Sequence, residues 1–454
     1  MNVSDAVKEQ YKNNSIHKNL ILSFPELNLQ ITHKDIHQDS VRLKESILDK
    51  ESIEFVGCIA SIYQVAIENL DADVKGKKME VAICTDSEPD PIPLFHGIVD
   101  SAVKQANKRT KEIVAYDELY IKGNMETAGW YKALPFPVTL KALRDSLFDY
   151  IGVEQSEAEL PNDNVLIEKR YNPSSMQALS VIKAICQING AFGIINRRNQ
   201  FEYRILTNIA ENNGAYPSEI FYPPFYLGKG WNNADEIQSE AFSFYKSVDY
   251  EEYIVKPVDK LTIRQSEDEK GITYGEGENN YIIQGNMFTY KLDKDTLMQI
   301  AEKIYKNVKG FSYHPFASQN NGLPWIECGL DAVSYTMVDW ENSTEENTFY
   351  VQKSFYVLNR ELTGVQALTD SYGAQGEEYQ TEFITDLQTQ IDILKKNTKQ
   401  EVESKVEDYT YSKDDIDNML QASSSAWNVE SVAVLPVTVV ANTIYLIQGE
   451  VTVE

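Results

Sequence analysis

Residues 27–32 read LNLQIT, an alternation of apolar and polar side chains. Successive side chains of a strand point to opposite faces, so this period of two puts Leu27, Leu29 and Ile31 on one face and Asn28, Gln30 and Thr32 on the other. That is the pattern of a half-buried strand. Met79, Val81 and Ile83 repeat it, and Ser87-Glu88-Pro89-Asp90-Pro91 and Gly97 punctuate the runs as turns. Residues 1–124 are therefore expected to form a first β domain.

From Thr139 the period changes. Leu140, Leu143, Leu147 and Ile151 lie on one helical stripe, with Thr139 placed to cap the start and Gly152 beyond the end. A second helix is expected from Asn172-Pro173 through Met176, Leu179, Ile182 and Cys186 to Gly190, followed by short strands at 192–195 and 201–205. Residues 125–244 thus read as a mixed α+β region. Strands return over 245–376, where Val333, Tyr335 and Met337, then Phe355 and Val357, alternate. One helix interrupts them from about Asp293, with Leu297, Ile300, Ile304 and Val308 as its buried stripe and Gly310 at its end. The whole is α+β and mainly β, in keeping with 27 Tyr and 17 Phe, residues that fit pleated surfaces.

After Gly373 and Gly376 the composition shifts. Residues 379–409 contain no Gly or Pro, and Ile384, Leu387, Ile391 and Leu394 are spaced 3-4-3 as in a coiled coil. Thr398, Val402 and Val406 continue at spacings of four, a stutter that unwinds a supercoil locally. A trimerising stalk over 377–410 is one reading, roughly 45 Å long at 1.5 Å per residue. A single amphipathic helix docked on its own domain is the other. Residues 411–454 form a linker and an apolar, β-branched tip, SVAVLPVTVVANTIYLIQGEVTVE, too short to bury itself alone. In this tip region Trp427 and Tyr445 are candidates for contact with a receptor or partner, and equally for the core of a trimer.

Charge and composition limit the chemistry. The net charge of −27, from 42 Lys and Arg against 69 Asp and Glu, disfavours specific nucleic-acid binding. The leading residues MNVSDAVKEQYKNN hold no apolar core of a secretory leader, and no run approaches the roughly 18 apolar residues of a membrane span. Cys58, Cys84, Cys186 and Cys328 lack C-x-x-C spacing and read as buried small hydrophobes. His33 and His37 in HKDIH lack the Glu of a zinc-protease helix, and in a strand they would stand about 13 Å apart. Cys58 has no base beside it in sequence, although His96 could reach it in space. The glycines of YGEGENN and LGKGW precede no phosphate-gripping Lys-Ser or Lys-Thr. Glu276 and Glu278 could pair as in a glycosidase, but among 69 acids such pairs arise by chance. No catalytic, cofactor or metal residue is expected.

Several stretches carry a resemblance. Residues 279–316, NNYIIQGNMFTYKLDKDTLMQIAEKIYKNVKGFSYHPF, then 323–335, LPWIECGLDAVSY, then 355–378, FYVLNRELTGVQALTDSYGAQGEE, resemble the second half of the hub domain in tail-tip proteins of siphophages and prophages of Gram-positive hosts. The order matches: Gly285-Asn286 before a helix, Tyr313-His314-Pro315-Phe316 after it, a turn from Pro324 to Gly329, then Arg360, Leu362 and Gly364 in an Arg-x-Leu-x-Gly strand. SIEFVGCIASIYQVAI at 52–67 and FHGIVDS at 95–101 resemble the family's earlier strands. YSKDDIDNML and LPVTVVANTIYLIQGEV resemble linker and end segments of phage fibres. Cys328-Gly329-Leu330-Asp331 departs from the Gly-Asp often found after the turn.

The resemblance implies two tube-like β-barrels related by approximate symmetry and flanking the mixed region. It also implies a homotrimer that adapts a threefold tip to a sixfold tube. The partners it implies are a distal tail protein ring or tail tube, a tape measure protein, and a receptor-binding protein or host cell-surface glycan. The place implied is the virion tail tip, in host attachment and genome ejection. The hub of a contractile injection system is the nearest alternative, and a cell-wall polysaccharide or peptidoglycan hydrolase a more distant one.

Overall fold

The computed structural model describes residues 3–12, 16–48, 57–86, 90–106, 109–169, 173–206, 239–242, 245–266, 268–340, 342–344, 347–378, 383–384, 428–432 and 443–447. They fall into two units, Met1–Lys396 and Asn397–Glu454.

An eleven-stranded sheet organises the first unit. From one edge its strands run Ser247–Tyr250, Phe316–Asn321, Thr369–Ala374, Asn359–Thr363, Arg42–Ser46, Ile62–Glu68, Thr110–Tyr116, Ile92–Lys104, Lys78–Thr85, Lys18–Phe24 and Leu29–Thr32. Every neighbouring pair is antiparallel. The first four strands come from the C-terminal β region and the other seven from the N-terminal one. They meet where Asn359–Thr363 pairs with Arg42–Ser46, in the register Asn359↔Ser46 to Thr363↔Arg42.

This seam changes the expected picture of two tube-like barrels. A closed tube in either region would need the outer edge of its terminal strand, and at the seam those two edges are used on each other. Among the described residues the strand order is open at both ends. The mainly β expectation agrees with the structure.

The alternating patterns do their work by burial. Met79, Val81 and Ile83 are all inside, each worth about 1.5–3 kcal/mol of transfer free energy. Leu27 departs from the expected face. It ends a short 3-10 turn, Pro25–Leu27, and Asn28 follows in the left-handed region at φ 47°. The strand therefore starts at Leu29.

The mixed region touches the sheet through Glu118–Gly123, which packs on Ile92–Lys104 and Thr110–Tyr116. Helix Leu140–Ile151 begins where Thr139 Oγ1 accepts from the Ala142 amide at 3.2 Å and ends at Gly152, whose φ of 69° suits a residue without a Cβ. The second helix starts later than its Asn172-Pro173 signal suggests, at Ala178. The physical reason is a tie to residues 125–127: the Thr127 amide donates to Met176 O at 2.7 Å and the Ala178 amide to Met125 O at 3.0 Å. Glu126 completes the tie by accepting from the Met176 amide and the Ser175 hydroxyl, both at 2.8 Å. Residues 176–177 are thereby held extended. The helix Ala178–Asn189 is almost wholly buried. It packs against Glu118–Gly123, Leu140–Ile151, Lys294–Val308 and the strand Phe192–Ile195, which forms a hairpin with Phe201–Arg204.

The helix Lys294–Val308 has most of the expected stripe, with Leu297 only half-buried. Asp293 Oδ1 accepts from the Thr296 amide at 2.9 Å, and Ile300, Ile304 and Val308 are buried. The helix lies on a four-stranded sheet ordered Ile272–Gly275, Lys260–Arg264, Asn280–Gln284 and Phe383–Ile384. A three-stranded sheet of Ser239–Phe242, Ala332–Asp339 and Phe349–Tyr356 completes this unit. In the second unit Asn428–Val432 and Thr443–Ile447 pair in parallel. Among the described residues no helix is long and apolar enough to cross a membrane.

Candidate functional site

The strands at the seam carry charge on their inward faces. In Arg42–Ser46 the buried phase is Leu43 and Glu45, in Asn359–Thr363 it is Arg360 and Leu362, and in Thr369–Ala374 it is Asp370, Tyr372 and Ala374. The register then sets Arg360 directly opposite Glu45 on one side and Tyr372 on the other. Strand pairing alone therefore brings the Arg360 cation beside the Glu45 carboxylate, with the Tyr372 phenol on its other side.

Arg360 is fully buried, as is Asp370. Its Nε donates to Asp370 Oδ1 and its Nη2 to Asp370 Oδ2, both at 2.8 Å, which is a two-pronged fork. Nη2 also donates to Leu323 O at 2.8 Å, and Nη1 to Glu45 Oε2 at 3.2 Å and to Ile326 O. All the guanidinium nitrogens are engaged. Asp370 further accepts from the Tyr372 hydroxyl at 2.8 Å and the Leu323 amide at 3.2 Å. Glu45 Oε2 also accepts from Arg197 Nη2 at 2.7 Å. Burial works against the charge on Arg360, but Asp370 and Glu45 outweigh it and hold the guanidinium well above its ordinary value. Burial lifts the Asp370 carboxyl, while Arg360, Tyr372 and Leu323 pull against that lift. With each carboxylate oxygen met by donors, the pair is an ionised one.

A second buried pair lies beside the first. Arg204 Nη2 donates to Glu327 Oε2 at 2.7 Å, its Nη1 to Cys328 O, and its Nε to Glu202 Oε1 at 3.1 Å. Desolvation opposes ionisation of Glu327, but Arg204 and Arg197 overcome it and bring the carboxyl down to about 2. The two clusters are linked through Arg197 and through Cys328, whose Sγ lies 3.5 Å from Glu45 O. The turn Pro324 to Gly329, with Leu323 before it, thus wraps the buried cations with the carbonyls of Leu323, Ile326 and Cys328. Asp331 anchors that turn by accepting from the Glu327 amide at 2.7 Å.

Glu45, Arg360 and Tyr372 also line an open groove of about 430 Å³, together with Lys44, Ser46 and Phe316. The charged groups facing it are already bound to one another. Chemically the arrangement can tie strands from both ends of the chain together and fix their register.

Asn286, expected as a family marker, proves to be another tie. Its Nδ2 donates to Ala184 O at 3.0 Å and to Gln187 Oε1 at 2.7 Å, inside the buried helix.

The expected trimerisation and contact residues are placed as follows. Ile384 lies in the strand Phe383–Ile384, opposite Ile282 in a parallel pairing, and not in a helix. The β-forming pair Phe383-Ile384 extends an existing sheet edge, which corrects where a stalk could begin. Leu387, Ile391, Leu394, Val402, Val406 and Trp427 lie outside the described residues. Tyr445 is in Thr443–Ile447, opposite Glu430.

The other candidates are not brought together. His37 faces Glu68 at 3.1 Å, while the His33 ring meets that of His17 with centroids 5.1 Å apart. The sulfur of Cys58 faces Cys186 at 3.5 Å. Glu276 and Glu278 are exposed. Among the described residues no group of three or more His, Cys, Asp or Glu is placed to hold a metal ion.

Sequence reading named Arg360 but missed Glu45, Asp370, Arg197, Arg204 and Glu327. The available signal was phase: Glu45 follows Leu43 and Arg360 precedes Leu362 at the spacing of one strand face.

No protein-family model and no curated protein matches the chain. Three solved structures are similar in outline. A tail protein from Neisseria meningitidis is 10% identical with a TM-score of 0.43, over 80% of this chain and 98% of that one. The 43 kDa tail protein of prophage MuSo2 from Shewanella oneidensis is 8% identical with a TM-score of 0.45, over 81% and 100%. A prophage tail protein from Listeria monocytogenes is 11% identical with a TM-score of 0.43, over 84% and 99%.

Proposed function

We propose that this chain is a structural protein of a phage-type tail, a trimeric tail-tip or baseplate hub, and that its work is done by interfaces and not by catalysis. One observation carries the reading. Two of the stretches that resemble the hub family meet at the seam, where Arg360 of the Arg-x-Leu-x-Gly strand, held by the carbonyls of Leu323 and Ile326 at the Pro324 to Gly329 turn, locks the N-terminal and C-terminal β regions into one antiparallel wall. Burying several charges is costly unless each is partnered, and partnered charges specify register. A wall of fixed register is what a ring component under mechanical stress requires. An acidic surface suits a channel past which DNA must slide without sticking.

In this reading three copies adapt to a sixfold tube or distal-tail ring and contact a tape measure protein. The tip region with Trp427 and Tyr445 then serves attachment or further assembly. Self-association resides in residues 385–410. Light scattering of the full chain and of one stopped after Ile384 tests this. The expected result is three chain masses for the first and one for the second. A full chain that stays monomeric at tens of micromolar would overturn the trimer.

A further inference from the structure

Cys58 and Cys186 are 128 residues apart in sequence, yet their sulfurs are 3.5 Å apart in the core. Cys58 stands just before the strand Ile62–Glu68 of the large sheet, and Cys186 sits in the buried helix Ala178–Asn189. Three features hold them together. The Gly193 amide donates to Gly57 O at 2.9 Å, and Cys58 and Gly193 form a parallel β-bridge, so the backbone beside Cys58 is fixed. Gly193 has no side chain, and a Cβ there would come within 2.7 Å of the Cys58 sulfur. The absent methyl leaves space that the Cys58 sulfur and the Phe201 ring both occupy. The Ala191 amide donates to Cys186 O at 3.0 Å, fixing the other partner through the same short connection.

We propose that this pair is a covalent modification site, a dithiol that a small peroxide converts reversibly to a disulfide. Cys58 keeps 3% of its surface exposed against 0% for Cys186, so it is the one placed to meet the oxidant. Its thiolate sulfur attacks one oxygen of hydrogen peroxide. An S–O bond forms, the O–O bond breaks, and hydroxide leaves to take up a proton as water. The Cys186 thiolate then attacks the Cys58 sulfur, forming S–S and breaking S–O, and a second water leaves. In sum two thiols and one peroxide give one disulfide and two waters, with two electrons passing from sulfur to oxygen.

Burial pushes the Cys186 thiol up, which keeps it protonated at rest and makes the second step slow at neutral pH. The product would staple the large sheet to the central helix and close a long loop. Cross-links of this kind stabilise chiefly by restricting the unfolded chain, here by roughly 3–6 °C in the unfolding midpoint.

The test uses the full chain, purified reduced and then exposed to hydrogen peroxide near pH 8. Free thiols are counted with dithionitrobenzoate after denaturation, and non-reducing peptide mapping locates any link. The expected result is a fall from the four thiols of the reduced chain by one pair. Cys58 and Cys186 peptides should be joined, the midpoint raised, and both changes undone by dithiothreitol. Cys186→Ala should abolish the rise. Four unchanged thiols, a link between other cysteines, or a rise that persists in Cys186→Ala would overturn the proposal.

Discussion

Arg360→Met removes the cation from the seam while keeping much of its length. Asp370 and Glu45 then remain as buried carboxylates, and Leu323 O loses its guanidinium partner. Glu45 retains Arg197 at 2.7 Å, so the main damage falls on Asp370, which has no exposed surface. Taking one partner from a buried ion pair costs about 3–5 kcal/mol. At about 1 °C per kcal/mol for a unit that spans Met1–Lys396, scaled from the per-residue unfolding entropy, the unfolding midpoint should drop by roughly 5 °C. The loss also depends on pH. Without the guanidinium, burial favours the protonated form of Asp370, so the variant should lose less at pH 5 than at pH 8. Urea unfolding followed by tryptophan fluorescence at both pH values measures this. In Arg360→Met/Asp370→Asn the cost should fall short of the sum of the single losses. A single-variant loss under about 1 kcal/mol, equal at the two pH values, would refute the claim that this pair locks the seam.

Glu327, held down to about 2 from an ordinary value of 4.5, adds stability that is present above its unfolded value and lost as pH falls towards 2. The shift corresponds to about 3 kcal/mol, and Glu327→Gln should flatten that acid limb in urea titrations. Asp117 has the opposite sign. Burial raises it to about 7 despite amide bonds from Ser61 at 2.6 Å and Leu119 at 3.0 Å. The folded chain then binds a proton that the unfolded chain releases, so stability falls as pH rises from about 4 to 7. Asp117→Asn should remove that slope, as read from unfolding midpoints across the range. Thr139→Ala, which removes the cap of Leu140–Ile151, should cost about 1 kcal/mol without changing the pH dependence.

The features legible in sequence were those with a local cause. Thr139 and Gly152 bracket their helix because cap chemistry acts within four residues, and the stripe from Ile300 to Val308 follows from the helical period. The start of the buried helix was misread because its N-terminal segment answers to Glu126, some 50 positions away, and not to Asn172-Pro173. The seam was invisible for the same reason on a larger scale. Glu45 and Arg360 are 315 residues apart, and no local pattern states which of two strand edges will meet. Ile384 satisfied a heptad and a strand alike, and pairing with Ile282 decided between them.

The most direct test of the tail assignment is immunogold electron microscopy of tailed particles induced from the source strain, using antibodies raised against the full chain. The account predicts label at one end of the tail, on the tail axis. Particles that carry no label, while the chain is abundant in the cell extract, would contradict it.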